Sequence, residues 1–398
     1  MKLLEGIRII DFTQAHAGSL CTMILSDFGA EVIKVEKPGS GDSAREWAPV
    51  KNGASGYFTY LNRGKNSIAV NAFTEEGREI LLGLMKDADV ITENFKYGTM
   101  ERMGLSYDKV KAVNPEIIYA SLSGYGQTGP LRERGGIDLT LQAASGLMER
   151  TGFPDGDPVK AGVALGEHIG GTYMAMGIIL ALIEKKKRGQ GQNVDISIMD
   201  SLYSVLETVP VTCCMTGKME PRLGNGDAAV TPYDTFQTKD GYVSIGISAD
   251  SQWEKFCDVM EMTELKTEER YRTNELRSIN YEKGLKKAIA DVMITMSKFE
   301  VQEKLRGARL ACSVVYSVEE AMETPPIKER GMLVEVYDEG IGENIQIPGT
   351  VIKMKETPGE FTEGAPLRGK HTGFYLESLG YTTERMEELI GKKIIEMA

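Results

Sequence analysis

The chain has only three histidines, His16, His168 and His371, and five cysteines, Cys21, Cys213, Cys214, Cys257 and Cys312. The histidines lie too far apart in sequence to propose a metal site. No cysteine pair has CxxC spacing, which argues against zinc, and the odd count suits reduced thiols in an intracellular protein. The start, Met1-Lys-Leu-Leu-Glu-Gly-Ile-Arg8, lacks the apolar core and cleavage site of a signal peptide. The apolar stretch Thr172–Ile183 is too short to cross a bilayer and no longer one is found, so the expectation is a cytoplasmic protein with no membrane role. A P-loop is missing, which leaves ATP-driven chemistry without support. The turn Phe12-Thr-Gln-Ala-His-Ala-Gly18 lacks the glycine spacing that lets a pyrophosphate approach the backbone. A dinucleotide reading with Glu36 on a ribose therefore fails. No Ser-His-Asp or nucleophile-elbow pattern occurs. Neither a resident cofactor nor a metal is expected.

What is present is an ordinary globular composition over 398 residues, 41% hydrophobic and 26% charged, enough for two domains or one elaborated α/β unit. A net charge of −12 argues against nucleic acid as a partner but leaves room for local basic pockets. Strand and helix patterns alternate in the first half. Gly6–Asp11, Glu31–Glu36, Ser67–Asn71, Asp89–Phe95, Ile117–Ser123 and Asn193–Ile198 read as strands. This predicts an α/β fold with a mostly parallel sheet, whose ligand sits beyond the carboxyl ends of the strands. The character changes near Gly217. A hairpin turning at Lys239-Asp240-Gly241, followed by helical patterns, marks a small α+β domain. The expected division is 1–206, a linker at 207–229, the small domain at 230–324, and 325–398 returning to the large domain.

Two places carry chemistry. Glu167 stands at the start of the apolar stretch that Lys185-Lys-Lys-Arg188 and Gly189 close. Unpaired N–H groups and the positive end of the helix dipole are expected to keep its carboxylate ionised. Small neighbours leave space for a ligand, but a simple helix-capping charge fits this window equally well. Lys34, Lys37 and Arg45 bracket the Pro38-Gly-Ser-Gly-Asp42 loop at a strand end, which suits a phosphate-bearing ligand or a solvated loop.

Six segments carry a resemblance: Leu4-Glu-Gly-Ile-Arg-Ile-Ile-Asp-Phe-Thr13, Phe28-Gly-Ala-Glu-Val-Ile-Lys-Val-Glu-Lys-Pro-Gly39, Glu93-Asn-Phe95, Ser123-Gly-Tyr-Gly126 through Gly129-Pro130, Arg188-Gly-Gln-Gly-Gln192 and Arg368-Gly-Lys-His-Thr372. In this order the chain resembles, over its full length, the class III coenzyme A transferases, the family of formyl-CoA, carnitine and bile-acid CoA-transferases. The resemblance implies a Rossmann-like large domain built from both chain ends, a small domain, and a homodimer of two interlocked subunits. It places Glu167 where the family has a catalytic aspartate, with the same nucleophilic oxygens on a stem one methylene longer. It implies CoA contacts from Ala15, His16, Lys37, Lys65, Asn94, Phe95 and Arg102. Gly224 and Gly226 correspond to a glycine loop that covers the site, and N–H groups near Gly166 and this loop stabilise oxyanions. The implied activity moves CoA from an acyl-CoA to a free carboxylic acid through a glutamyl-CoA thioester. A non-catalytic CoA-binding subunit is the alternative. An acyl-CoA racemase is a further one, but it requires a histidine where Ile137 precedes Asp138.

Overall fold

The computed structural model of the chain describes residues 2–219 and 221–398. These form two compact units: Met1–Leu147, Lys160–Val211 and Pro325–Ala398 in the first, Met148–Val159 and Thr212–Thr324 in the second.

The first unit is built on a seven-stranded sheet: β1 (Arg8–Asp11), β2 (Glu31–Glu36), β3 (Asn66–Val70), β4 (Val90–Glu93), β5 (Ile118–Ser123), β6 (Asn193–Ser197) and β7 (Ile395–Glu396), in the order β7-β3-β2-β1-β4-β5-β6. All neighbouring pairs are parallel except β7 with β3. Its inner strands are apolar on both faces because helices cover both. Ile10, Ile33 and Ile91 pack on one side with α3 (Glu75–Met85). Ile9, Val32 and Val90 pack on the other, where α1 (Ala17–Asp27) and α6 (Leu165–Arg188) lie. Between these helices in sequence come α2 (Gly56–Asn62), α4 (Thr99–Arg102) and α5 (Asp138–Ala144). The six strands expected from sequence are all present. The edge strand β7 was missed: two residues carry no periodicity.

Helix α6 has 24 residues, twice the apolar stretch, so by length and composition it is long enough to cross a membrane. It is a core helix here, with Met174, Ala175, Ile178 and Ala181 buried under the sheet. Although apolar, Tyr173, Met176, Leu180 and Ile183 are 38%, 48%, 62% and 50% exposed. Their spacing puts them on one stripe.

The second unit pairs the hairpin Tyr233–Thr238/Gly241–Gly246 with a third antiparallel strand, Ala311–Val314, over a core around Trp253 and Phe256. Sequence assigned 148–159 to the large domain and 207–229 to a linker. In the structure Arg222 draws 148–159 into the second unit, donating to the carbonyls of Glu149, Phe153 and Gly156.

Candidate active site

The carboxyl ends of β1, β2 and β4 hold a buried ionic framework. Asp11 ends β1 and accepts from Thr13 N–H (2.9 Å), Thr22 hydroxyl (2.7 Å), Thr92 hydroxyl (3.0 Å) and Lys65 Nζ (3.1 Å). Burial opposes its charge, but Lys65, Lys34 and the hydroxyls outweigh that and hold it at about 2. Lys34 donates to Thr13 O at 2.7 Å and pairs with Asp42 at 2.9 Å. The loop after β1 is thus fixed from below. It is fixed from the side by Asn94, which accepts from Gln14 N–H and donates to Gln14 O, both at 2.8 Å. Ala15 takes a left-handed φ of 59° and donates its N–H to Asp42 at 3.2 Å. This loop delivers His16 and the first residue of α1, Ala17.

Helix α6 meets α1 at that point. A Cβ on Gly171 would lie 2.3 Å from Ala17 O, so only glycine allows this approach. One turn earlier on the same face stands Glu167. Its Oε2 accepts from Ala17 N–H at 3.1 Å. The carboxylate therefore caps α1 rather than its own helix. Asp138 caps α6, accepting from Gly166 N–H at 2.8 Å and Glu167 N–H at 3.3 Å. The sequence-based expectation of an oxyanion donor near Gly166 is corrected by this, because that N–H is taken.

The expected electrostatics are corrected too. Glu167 is raised above the ordinary glutamate range, first by burial and then by Asp138, and the Ala17 bond offsets only part of this. An N-terminal helix position lowers a carboxyl pKa only when the N–H groups point at that carboxyl, and here they point at Asp138. Around Glu167 stand two further groups. His16 Nδ1 lies 2.7 Å from the Tyr57 hydroxyl, and its ring is 5.9 Å from that of His168. Burial and then His168 push His16 down to about 4, so the imidazole is neutral. Burial, then the charge of Glu167, pushes Tyr57 up to about 12.

The other residues singled out by sequence divide. Lys37 and Arg102 are exposed, and the Arg102 guanidinium donates to Thr99 Oγ1 at 2.8 Å. Phe95 is half-buried against the core on the α3 side, beside Asn94. Lys65 is buried, and its ammonium faces four protein oxygens, of Asp11, Ser19, Thr22 and Asn62. It braces the loop of Ala15 and His16 and has no donor left for a ligand. The phosphate reading of Lys34 and Arg45 fails likewise: Lys34 is buried on Asp42, and Arg45 forks onto Glu36 at 2.7 and 2.6 Å. Gly224 and Gly226 lie in the second unit, where Gly224 N–H bonds Gly152 O at 3.0 Å and a Cβ on Gly224 would meet Phe153 at 2.6 Å. Tyr57 was not singled out by sequence, and Asp138 only as the neighbour of Ile137 in the racemase alternative. Neither gives a signal of its place here until the fold brings them to His16 and Gly166.

Glu93, at the end of β4, lines a cavity of about 110 Å³ with Tyr107, Tyr119 and Gln127. It is 4% exposed, and burial pushes it up to about 7 against the bonds from Ser121 and Phe95 N–H.

The sequence pattern of CoA-transferase family III matches residues 4–372. The chain is 38% identical over 392 residues to a succinyl-CoA:mesaconate CoA-transferase of Haloarcula hispanica, covering 96% of this chain and 98% of that one. It is 35% identical over 402 residues to the succinyl-CoA:glutarate CoA-transferase of Mus musculus, covering 100% and 91%. A CAIB/BAIF family protein from Brucella suis superposes with a TM-score of 0.86 at 32% identity, covering 95% of this chain and 99% of that one.

Proposed function

The chain belongs to CoA-transferase family III and is an enzyme of that class, and we propose that it carries out the transfer through covalent catalysis on Glu167. The Glu167 carboxylate attacks the thioester carbon of the donor acyl-CoA, giving a mixed anhydride and CoA thiolate. The thiolate then attacks the Glu167 carbonyl, releasing the donor acid and leaving a glutamyl-CoA thioester. The acceptor carboxylate repeats both steps in reverse order and regenerates Glu167. No proton is consumed, and the thioester energy is conserved across easier steps. One observation carries this reading: Glu167, held by Ala17 N–H at 3.1 Å, stands at the carboxyl end of the sheet with no cation paired to it among the described residues. An unpaired carboxylate of raised basicity is a better nucleophile than one held in a salt bridge.

CoA is taken as a substrate, with Lys37 and Arg102 on its phosphates and Ala15, His16 and Phe95 lining its path. Asn94 and Lys65 act behind them by fixing the β1 loop. Both named transferases use succinyl-CoA with a dicarboxylic acid, which supports a dicarboxylic donor and acceptor here. A product-mass assay of succinyl-CoA against four- to six-carbon dicarboxylates should show exchange. Turnover confined to monocarboxylic acids would overturn that assignment. The racemase reading is disfavoured, because Asp138 caps α6 and Ile137 is 65% exposed in the place of a second base.

The active form we propose is a homodimer, interlocked as the resemblance implies. Its support is the exposed stripe of α6, where Tyr173, Met176, Leu180 and Ile183 line one helix face.

A further inference from the structure

We propose that His16 is a catalytic residue of the transfer: its Nε2–H, held on that nitrogen by Tyr57, donates to the carbonyl oxygen of the thioester that Glu167 attacks. The inference rests on the covalent reading of Glu167 given above. It begins with an orphan atom. His16 Nε2 is closed off from solvent and has no hydrogen-bond partner among the described residues. A buried polar atom in that state is costly to the fold, so it calls for a partner that the described residues do not supply.

The chemistry of the ring says which partner. Tyr57, at about 12, keeps its proton, and His16, at about 4, is neutral with a single N–H. Two arrangements satisfy the 2.7 Å contact between Nδ1 and the phenol. Phenol is the stronger donor and imidazole nitrogen the stronger acceptor, so the phenol O–H donates to Nδ1. The ring proton is then on Nε2, and the orphan is a donor. It awaits an oxygen acceptor.

Its position fits the acyl oxygen. His16 directly precedes Ala17, whose N–H holds Glu167 Oε2 at 3.1 Å and is thereby unavailable as an oxyanion donor. The ring of His168, next to Glu167 in sequence, lies 5.9 Å from the His16 ring. As Glu167 Oε1 forms its bond to the thioester carbon, the C=O π pair moves onto oxygen, where Nε2–H receives it. When the pair returns, the C–S bond breaks and CoA leaves as thiolate. The imidazole proton stays on Nε2 throughout. Neutrality matters: an imidazolium here would pair with the Glu167 carboxylate and quench the nucleophile. A donor present before the charge develops acts without reorganisation.

The test combines tautomer and kinetics on the full chain. Nitrogen NMR of histidine-labelled enzyme at pH 7, with His16 assigned by its loss in His16→Gln, should show the Nε2–H tautomer, and Tyr57→Phe should mix the two tautomers. His16→Leu should lower kcat by about 10²–10³-fold with the donor KM changing less than about threefold. His16→Gln, which restores an N–H, should recover at least about tenfold of that loss. An Nδ1–H tautomer, an imidazolium, or a His16→Leu enzyme at parental kcat would overturn the proposal. If His16→Leu does not fold, the tautomer of the parent decides alone. Glu167→Gln in the same assay separates the two readings. Should it turn over, the covalent reading falls and this proposal with it; if it is inactive beside a fully active His16→Leu, only the role of His16 falls.

Discussion

At Glu167 burial and the charge of Asp138 raise the carboxyl pKa while the Ala17 N–H lowers it, and the first two win. The folded state therefore binds this proton more tightly than the unfolded chain. Stability is lost as pH rises from the unfolded value, about 4.5, through the raised folded one. Glu167→Gln removes that cost, so at pH 7 it should melt above the parent while losing transfer, and at pH 4 the two should melt together. Calorimetry at both pH values checks the sign. A lower melting temperature at pH 7 would mean that the carboxylate stabilises the fold. Glu93 makes the same argument on a larger scale. With a folded value of about 7 against about 4.5 unfolded, ionising it costs the fold about 3 kcal/mol above pH 7. Glu93→Gln should gain stability to denaturant at pH 8 and almost none at pH 4; an equal shift at both would point to packing instead. For the phosphate contacts, Lys37→Ala and Arg102→Ala should each raise the donor KM roughly tenfold, a loss near 1.4 kcal/mol, with kcat little changed. Glu167 was legible in the sequence because a lone carboxylate before an apolar helix breaks the local pattern. The ion pairs of Lys34, Lys65 and Arg45 were not, because each is neutralised by a partner that no periodicity announces.

The element that builds the site is α6, and Gly171 is where its placement is decided. A methyl group there collides with Ala17 O, which is backbone and cannot rotate aside. Gly171→Ala should push α6 from α1, lengthen the Ala17–Glu167 bond and cut kcat by about 10²-fold, the scale expected of a misplacement near 1 Å. Gly162→Ala, whose Cβ would meet nothing within 4 Å, is the control and should leave kcat unchanged. Equal rates in the two variants would remove Gly171 from the account. Six strands of the sheet were legible as apolar runs in the sequence. What escaped was pairing across sequence: Ala17 and Glu167 are 150 residues apart, and Asp138 reaches Gly166 over 28. The edge strand Ile395–Glu396 also escaped, because two residues show no period.

For the whole molecule, the sequence signals a change of character near Gly217, whereas nothing in it signals that 148–159 belongs with the second unit, where Arg222 reaches three carbonyls. The proposed dimer would bury the exposed stripe of α6. Replacing Met176 and Leu180 together by glutamate should convert a dimer, read by light scattering after size exclusion, into monomer with loss of stability, because such a dimer folds and associates together. A parent that is monomeric at micromolar concentration would contradict the dimer. The central claim is that CoA becomes bound to Glu167, and trapping tests it most directly. The enzyme is mixed with a donor acyl-CoA that it turns over, quenched with hydroxylamine or borohydride, digested and mapped by mass. The account predicts a hydroxamate or reduced side chain at Glu167 and nowhere else. Modification at another residue, or an unmodified Glu167 in an enzyme that is turning over, would contradict it.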